Sequence, residues 1–399
     1  MKRSPLVIIF FTVFIDLVGF GIVLPLLPFY AESFGATALL VGLLSTSFSL
    51  MQLLFAPVWG RLSDRVGRRP IILLGLLGSA VSYLIFGLAH SLAVLFVARI
   101  FAGIAGANIS TAQAYIADST PAEQRAKGMG LIGAAYGLGF IFGPAIGGVL
   151  SRYGFAAPAF FAAILAFANF AAACWLLPES LAPSKRRSGS KRGLNWSALS
   201  QGLRHPEAGP LLSLFFISTF AFANLEATFA LMTAGRFGLD AQANGYLFAY
   251  IGVLITVMQG GLIGRLVKRF GERQLIPTGL FCMIFGLGLL PYSPNVKVLM
   301  LVLVLLAFGN GMANPTMSSL ISQMAGPADQ GSVLGVAQST ASLARILGPV
   351  WGGFTFDAFG LQYPYLSGGF FMAVAFALSW VTVRAKVAVP ATDGGARML

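Results

Sequence analysis

Charge is scarce in this sequence. Only 10% of its 399 residues are Asp, Glu, Lys or Arg, against roughly 25% in a soluble globular domain, so an ordinary water-soluble fold is excluded. Acids are fewer than bases, 13 against 26. Cysteine and histidine are nearly missing, with two of each. Cys174 and Cys282 fall within apolar stretches, and no disulfide framework or metal-ligand spacing exists. His90 and His205 lie in expected loops. The cluster of His, Cys, Asp and Glu that a catalytic centre requires is absent, so neither an enzyme, a cofactor nor a metal is expected. A Walker phosphate loop is absent too, which leaves ATP-driven transport unsupported.

What remains is grease. Hydrophobic residues make up 57% of the chain, and the mean hydropathy is +0.82. Apolar runs of about 20 residues, each enough to cross a hydrocarbon core of about 30 Å, recur at 6–30, 39–60, 70–90, 92–117, 126–150, 155–177, 210–235, 242–264, 274–292, 296–324, 330–356 and 362–384. The expected fold is an all-α membrane protein of twelve transmembrane helices in two pseudo-symmetric six-helix bundles. Glycine is abundant at 48 residues, as suits helices packing backbone to backbone in lipid. The N-terminus resembles a signal sequence, but its apolar stretch runs past 20 residues without a small-residue cleavage pattern, so a retained first helix is expected.

The net charge of +13 follows topology. Of the 26 Lys and Arg, Arg152, Arg236 and Lys297 fall in loops on one side, and Arg99 and Arg345 lie inside spans. All the others lie in the tails and in loops on the opposite side. The positive-inside rule then places both termini in the cytoplasm of a cell (inner) membrane. Nucleic acid is not an expected partner.

The longest polar stretch carries the run Lys185-Arg186-Arg187-Ser188-Gly189-Ser190-Lys191-Arg192 and reads as a solvated cytoplasmic linker. It divides the chain into a bundle at 1–177, a linker at 178–209 and a second bundle with its tail at 210–399. The halves echo each other. Gly60-Arg61-Leu62 returns as Gly264-Arg265-Leu266, and Gly143-Pro144-Ala145-Ile146-Gly147-Gly148 returns as Gly348-Pro349-Val350-Trp351-Gly352-Gly353. A repeat of this length suits a transporter of two six-helix halves around a site near the midplane.

Four charges interrupt the spans: Asp16, Arg99, Glu226 and Arg345. A charge in hydrocarbon is unfavourable unless paired or wetted, and it usually marks an ion or substrate path. Asp16 lies ten residues into the first span, about 15 Å deep at 1.5 Å per residue. Each half owns one acid and one base. An acid held between burial and a nearby arginine can exchange a proton near neutral pH. Asp16, Arg99 and Glu226 are the candidates for proton coupling. A static polar contact is the alternative for Asp16, and a structural pair with Arg345 for Glu226.

These motifs resemble the major facilitator superfamily over nearly the whole chain. Gly60 to Arg69 is similar to its signature loop, G-x-L-(S/A)-D-R-x-G-R-(R/K). The resemblance implies a gating role for Gly60, Asp64, Arg65, Gly67 and Arg69, with Asp64 pairing across the two halves, alongside Arg65 and Arg69, to hold an outward-facing state. Leu95, Arg99, Gly103 and Gly106 match its fourth-span pattern, which places an arginine beside the proton path. Gly139, Gly143, Pro144, Gly147 and Gly148 match the fifth-span pattern of exporters. Glycine there permits close contact and proline a bend, so Gly143, Pro144, Gly147 and Gly148 are expected to form a hinge.

Asp16, Gly19, Gly21, Pro25 and Pro28 resemble the first-span motif of twelve-span drug–proton antiporters, tetracycline exporters being the nearest in look. The chain departs from that subgroup at Ile255, where it has a histidine, and at Glu226, where it has a neutral polar residue. Gln52 and Gln259 resemble drug-contacting positions. Phe20, Tyr115, Tyr136, Phe222 and Phe229, with Arg345, complete the expected substrate-binding set. The function expected is a proton-coupled secondary transporter that exports small hydrophobic or amphipathic compounds by alternating access, as a monomer in the lipid bilayer. A facilitator-fold carrier of a lipid, sugar or organic anion is the rival.

Overall fold

Backbone amides in a bilayer have no water to bind, so a spanning chain must satisfy them internally, and a helix does so within itself. The computed structural model describes residues 5–120, 125–182, 184, 186, 208–323 and 330–384. Among these the regular structure is helical, without a strand. Most of the expected linker and its basic run, and the C-terminal tail, lie outside the described residues.

The first span is Pro5–Val23, continued by the short helix Leu27–Glu32; the second is Ala38–Val66 and the third Arg68–Gly87. The fourth comprises Leu92–Gly106 and Ile109–Ser119, the fifth is Arg125–Leu150 and the sixth Ala156–Leu176. The seventh is Ala208–Phe237, and the eighth runs from Ala241 to Phe270 through a π-helical turn at Met258–Leu262. The ninth is Glu272–Leu289, the tenth Val296–Gln323, the eleventh Gln330–Phe359 and the twelfth Tyr363–Arg384. Among the described residues, ten spans are long and apolar enough to cross a membrane. The eleventh and twelfth add helices of 30 and 22 residues.

Local sequence explains the breaks. Pro25 and Pro28 cannot donate to a helical ladder, and the first helix turns between them before restarting at Leu27. In the fourth span the helix yields after Gly106, and Asn108 lodges against Gly75 of the third, where a β-carbon would occupy the space of its amide. The eighth span widens to a π turn over Met258-Gln259-Gly260-Gly261-Leu262. None of these breaks is apparent from apolar run length.

The first six spans pack among themselves, the first against the fifth and sixth and the third against the fourth and sixth; the last six do likewise, the seventh against the eleventh and twelfth and the ninth against the tenth and twelfth. The two sets meet along two seams, second against eleventh and fifth against eighth. Gly139, Gly143 and Gly147 recur every four residues along one face of the fifth span, and that face meets the first span within the same bundle. A β-carbon on Gly143 would lie 2.6 Å from the Gly21 Cα. Gly148 turns the other way: a β-carbon on its partner Gly245 of the eighth span would sit 2.7 Å from the Gly148 Cα. The glycine-proline segment therefore serves two interfaces, where the motif alone suggests one seam. Among the described residues, the closest glycine contacts of both seams lie toward the ends remote from the basic loops.

Candidate functional site

Between the two seams lies a cavity of about 250 Å³, walled by the first, second, third, fourth, fifth, seventh and eleventh spans. That size is close to the lower end of small-molecule pockets, about 300–1,000 Å³. All four intramembrane charges line it: Asp16, Arg99, Glu226 and Arg345. Two bundles thus converge on one chamber, each supplying an acid and a base.

Helix packing sets each charge in place. Gly19, one turn after Asp16, leaves room for the Tyr83 ring, which a β-carbon there would approach to 2.9 Å. Tyr83 therefore reaches the cavity beside Asp16. Ser79 faces the Asp16 carboxylate, while Asp16 Oδ1 has no hydrogen-bond partner in the protein. Arg99 is 5% exposed, its guanidinium carbon 4.5 Å from the centroid of the Phe48 ring. Its ionisable neighbours are Tyr83 and Glu226, and its Nε has no protein partner. Glu226 faces Arg345 and then Arg99. Arg345 is exposed, the most open of the four.

None of these four groups joins another in an ion pair within 4.0 Å among the described residues. Charges desolvated without a partner are unfavourable by several kcal/mol each, so such an arrangement persists only with water, a proton or a ligand to satisfy it. The cavity thereby offers unspent acceptors and donors on opposite walls.

The remainder of the wall is mostly apolar. Phe20 lies 5.3 Å from Phe48 and 6.1 Å from Phe140, centroid to centroid. Tyr136 and Gln52 also line the cavity, Gln52 donating to the Gly106 carbonyl at 3.2 Å. Other expected positions lie elsewhere. Tyr115 is fully buried in a cluster with Ile9, Ile72 and Ile116. Phe229 is fully buried and meets Phe248 edge-on at 5.5 Å. Phe222 packs against the same core, and Gln259 is exposed in the π turn. Aromatic and aliphatic residues occur on all faces of these helices, so composition alone does not reveal which face meets lipid, core or cavity. Phe48, Phe140, Ser79, Ser82 and Tyr83 are cavity residues the motifs do not indicate. A signal did exist in the second span. Ser45, Ser49 and Gln52 follow i, i+4, i+7 spacing, a polar stripe on one helical face.

A second charged cluster caps the first bundle at its basic end. Here Asp64 forms an ion pair with Arg68 at 2.7 Å, a residue absent from the expected gating set. Arg68 Nε also meets Asp118 Oδ2 at 3.0 Å, and its Nη1 donates to the Ser63 hydroxyl at 2.6 Å. Glu179 accepts the backbone N–H groups of Arg68 and Arg69 at 2.8 and 3.3 Å. Arg69 donates to the Cys174 carbonyl at 2.6 Å, and Arg65 is exposed. Arg68 is the buried arginine because Gly67, at φ +115°, turns the chain back between two spans. A β-carbon there would collide with the Glu179 carboxylate.

A family profile for the Major Facilitator Superfamily matches residues 9–293 and 260–397. Multidrug resistance protein 2 of Bacillus subtilis (strain 168) is 31% identical over 386 residues, 95% of each chain. Tetracycline resistance protein, class C, of Escherichia coli is 35% identical over 353 residues, 88% of this chain and 89% of the relative. Among solved structures, the human organic anion transporter MFSD10 (TETRAN) is 28% identical with a TM-score of 0.72, covering 95% of this chain and 99% of that one. An inward-facing, unoccupied bacterial homologue of the lysosomal transporter Spinster shares the fold at a TM-score of 0.81 and 16% identity, covering 96% and 97%.

Proposed function

The chain belongs to the major facilitator superfamily of membrane transporters, and from that premise we propose that it exports small hydrophobic or amphipathic compounds in exchange for protons by alternating access. One observation carries the reading: two carboxylates and two guanidiniums, none paired with another, share a largely apolar chamber between the bundles. Asp16 and Glu226 hold the proton, and a cationic or dipolar cargo displaces it by stabilising the carboxylate. Phe20, Phe48 and Phe140 supply the apolar contact. The relatives named for multidrug and tetracycline resistance support a drug cargo.

Orientation completes the cycle. With the basic loops in the cytoplasm, both seams close the outer side, and the chamber faces inward to receive cargo. The working unit is a single chain in the cell membrane. The test is efflux from proteoliposomes under an imposed pH gradient, over dyes, antibiotics, lipids and sugars. Uphill movement of amphipathic dyes or antibiotics is expected; movement of sugars alone would overturn the reading.

A second reading has its own support. Arg99 and Arg345 line the chamber, and a relative of similar length is named an organic anion transporter. Saturable uptake of an aromatic carboxylate in the same assay, abolished by Arg345→Gln, would favour it.

A further inference from the structure

The outer ends of the second and eleventh spans hold a contact that the chamber and the motifs leave unexplained. In the eleventh span Arg345, Pro349, Gly353 and Asp357 recur every four residues, which places them on one ridge of the helix. Pro349 lies on Gly42, and Gly353 lies on Ala38 and Leu39, both glycines too close to the partner backbone to accept a β-carbon. The two helices therefore approach until Asp357 overhangs the start of the second span. Its carboxylate accepts two backbone N–H groups there, Ala38 to Oδ1 at 3.0 Å and Leu39 to Oδ2 at 2.8 Å. The Thr37 hydroxyl takes the next, Leu40, at 3.4 Å. Deeper along the seam the Thr46 hydroxyl donates to the Ile346 carbonyl at 2.7 Å.

The first N–H groups of a helix have no acceptor within it, and that end carries partial positive charge. Here a carboxylate from the opposite bundle fills both roles. We propose that Asp357 is an outer latch: its carboxylate, held on the N-terminus of the second span, closes the outer side and must release that helix each time the outer side opens. Family resemblance gives Asp64, at the opposite end of the same span, to the opposite state; Asp357 gives the outer face a latch of its own. Asp357 is exposed, so water can take over both partners once they part. The ridge that bears it also bears Arg345, so movement of the helix at the chamber reaches the latch directly.

The latch rests on the alternating-access reading, but its readout needs neither cargo nor proton gradient. Full-length protein in lipid nanodiscs, with Cys174 and Cys282 replaced by alanine, carries spin labels at His90→Cys, in the connection between the third and fourth spans, and Lys297→Cys, at the start of the tenth span, both exposed and in opposite bundles. Electron–electron distances are compared for the parent, Asp357→Glu and Asp357→Asn, with Asp357→Ser as a second neutral variant should the asparagine fail to fold. The parent and the glutamate should give mainly the short, closed distance. A neutral variant should raise the open-to-closed ratio roughly two- to tenfold. Identical distributions in folded neutral variants overturn the latch, even where pH-driven export is intact. A shift in distances with no transport of any cargo upholds the latch and defeats the export reading instead.

Discussion

The guanidinium of Arg99 lies 4.5 Å from the centroid of the Phe48 ring, on the wall of a chamber that also holds Asp16 and Glu226. An aromatic face attracts the cation while leaving its hydrogen-bond donors free. Phe48 therefore holds Arg99 in place without neutralising either carboxylate. Phe48 also lines the chamber, and replacing it with alanine removes apolar contact worth about 1–2 kcal/mol, so dye affinity should fall roughly five- to thirtyfold, with Phe48→Trp near native. Fluorescence titration of a transported dye checks this; unaltered affinity in the alanine variant would remove Phe48 from cargo binding.

Asp16 brings a carboxylate with an unsatisfied oxygen to the chamber. Asp16→Asn keeps the shape and deletes the proton site. Binding should persist while uphill, pH-driven transport is lost and downhill movement along a cargo gradient survives. Counterflow and gradient-driven efflux, run on the same proteoliposomes, separate the two. Native uphill rates in the asparagine variant would mean that the proton travels elsewhere.

The two faces of the fifth span predict two different failures. A β-carbon on Gly147 would come within 2.5 Å of the Ile22 carbonyl, inside the first bundle, whereas one on Gly148 would lie 2.9 Å from the Gln242 carbonyl across the seam. Gly147→Leu should therefore lower the melting temperature. Gly148→Leu should fold normally but fail to seal the outer side, so cargo leaks down its gradient and uphill transport stops. Equal behaviour of the two would show that the faces are not distinct.

Arg68 ties the basic-loop ends of three spans together through Asp64, Asp118 and Ser63. Its side chain is 9% exposed, so Arg68→Met takes an arginine away from two carboxylates, a loss of about 2–3 kcal/mol. Arg65→Met, on an exposed side chain, should change stability by less than about 0.5 kcal/mol. Thermal unfolding in detergent compares them. A melting point for Arg68→Met equal to that of Arg65→Met would deny the cluster its structural role.

Much of this architecture is legible in the residues. Apolar run length locates the spans because the bilayer sets a minimum length, and the echo of Gly143-Pro144 in Gly348-Pro349 reveals the doubled design. The four charges are conspicuous because hydrocarbon tolerates so few. Direction around the helix is harder to read. Tyr115 and Phe229 belong to packed cores and Phe20 and Tyr136 to the chamber, yet all sit in helices where apolar residues occur on every face. The signature loop presents four arginines in nine residues, and which is buried depends on the reversal at Gly67, a backbone property. Asp357 lies on no motif; its role comes from a helix end more than 300 positions away.

The contact between the fifth and eighth spans is made by backbone and glycine, with Gly148 against Gly245 and Gly252 against the Phe140 carbonyl. Where glycine meets backbone few long side chains interlock, and the Arg152 Nε–Gln242 Oε1 hydrogen bond at the seam's end, 2.6 Å, is exposed, so water takes it over when the joint parts. Separation exposes little that water must rearrange to accommodate, and rejoining traps little solvent. Under the proposed alternating access, surfaces of this kind part and close again with little rearrangement of side chains.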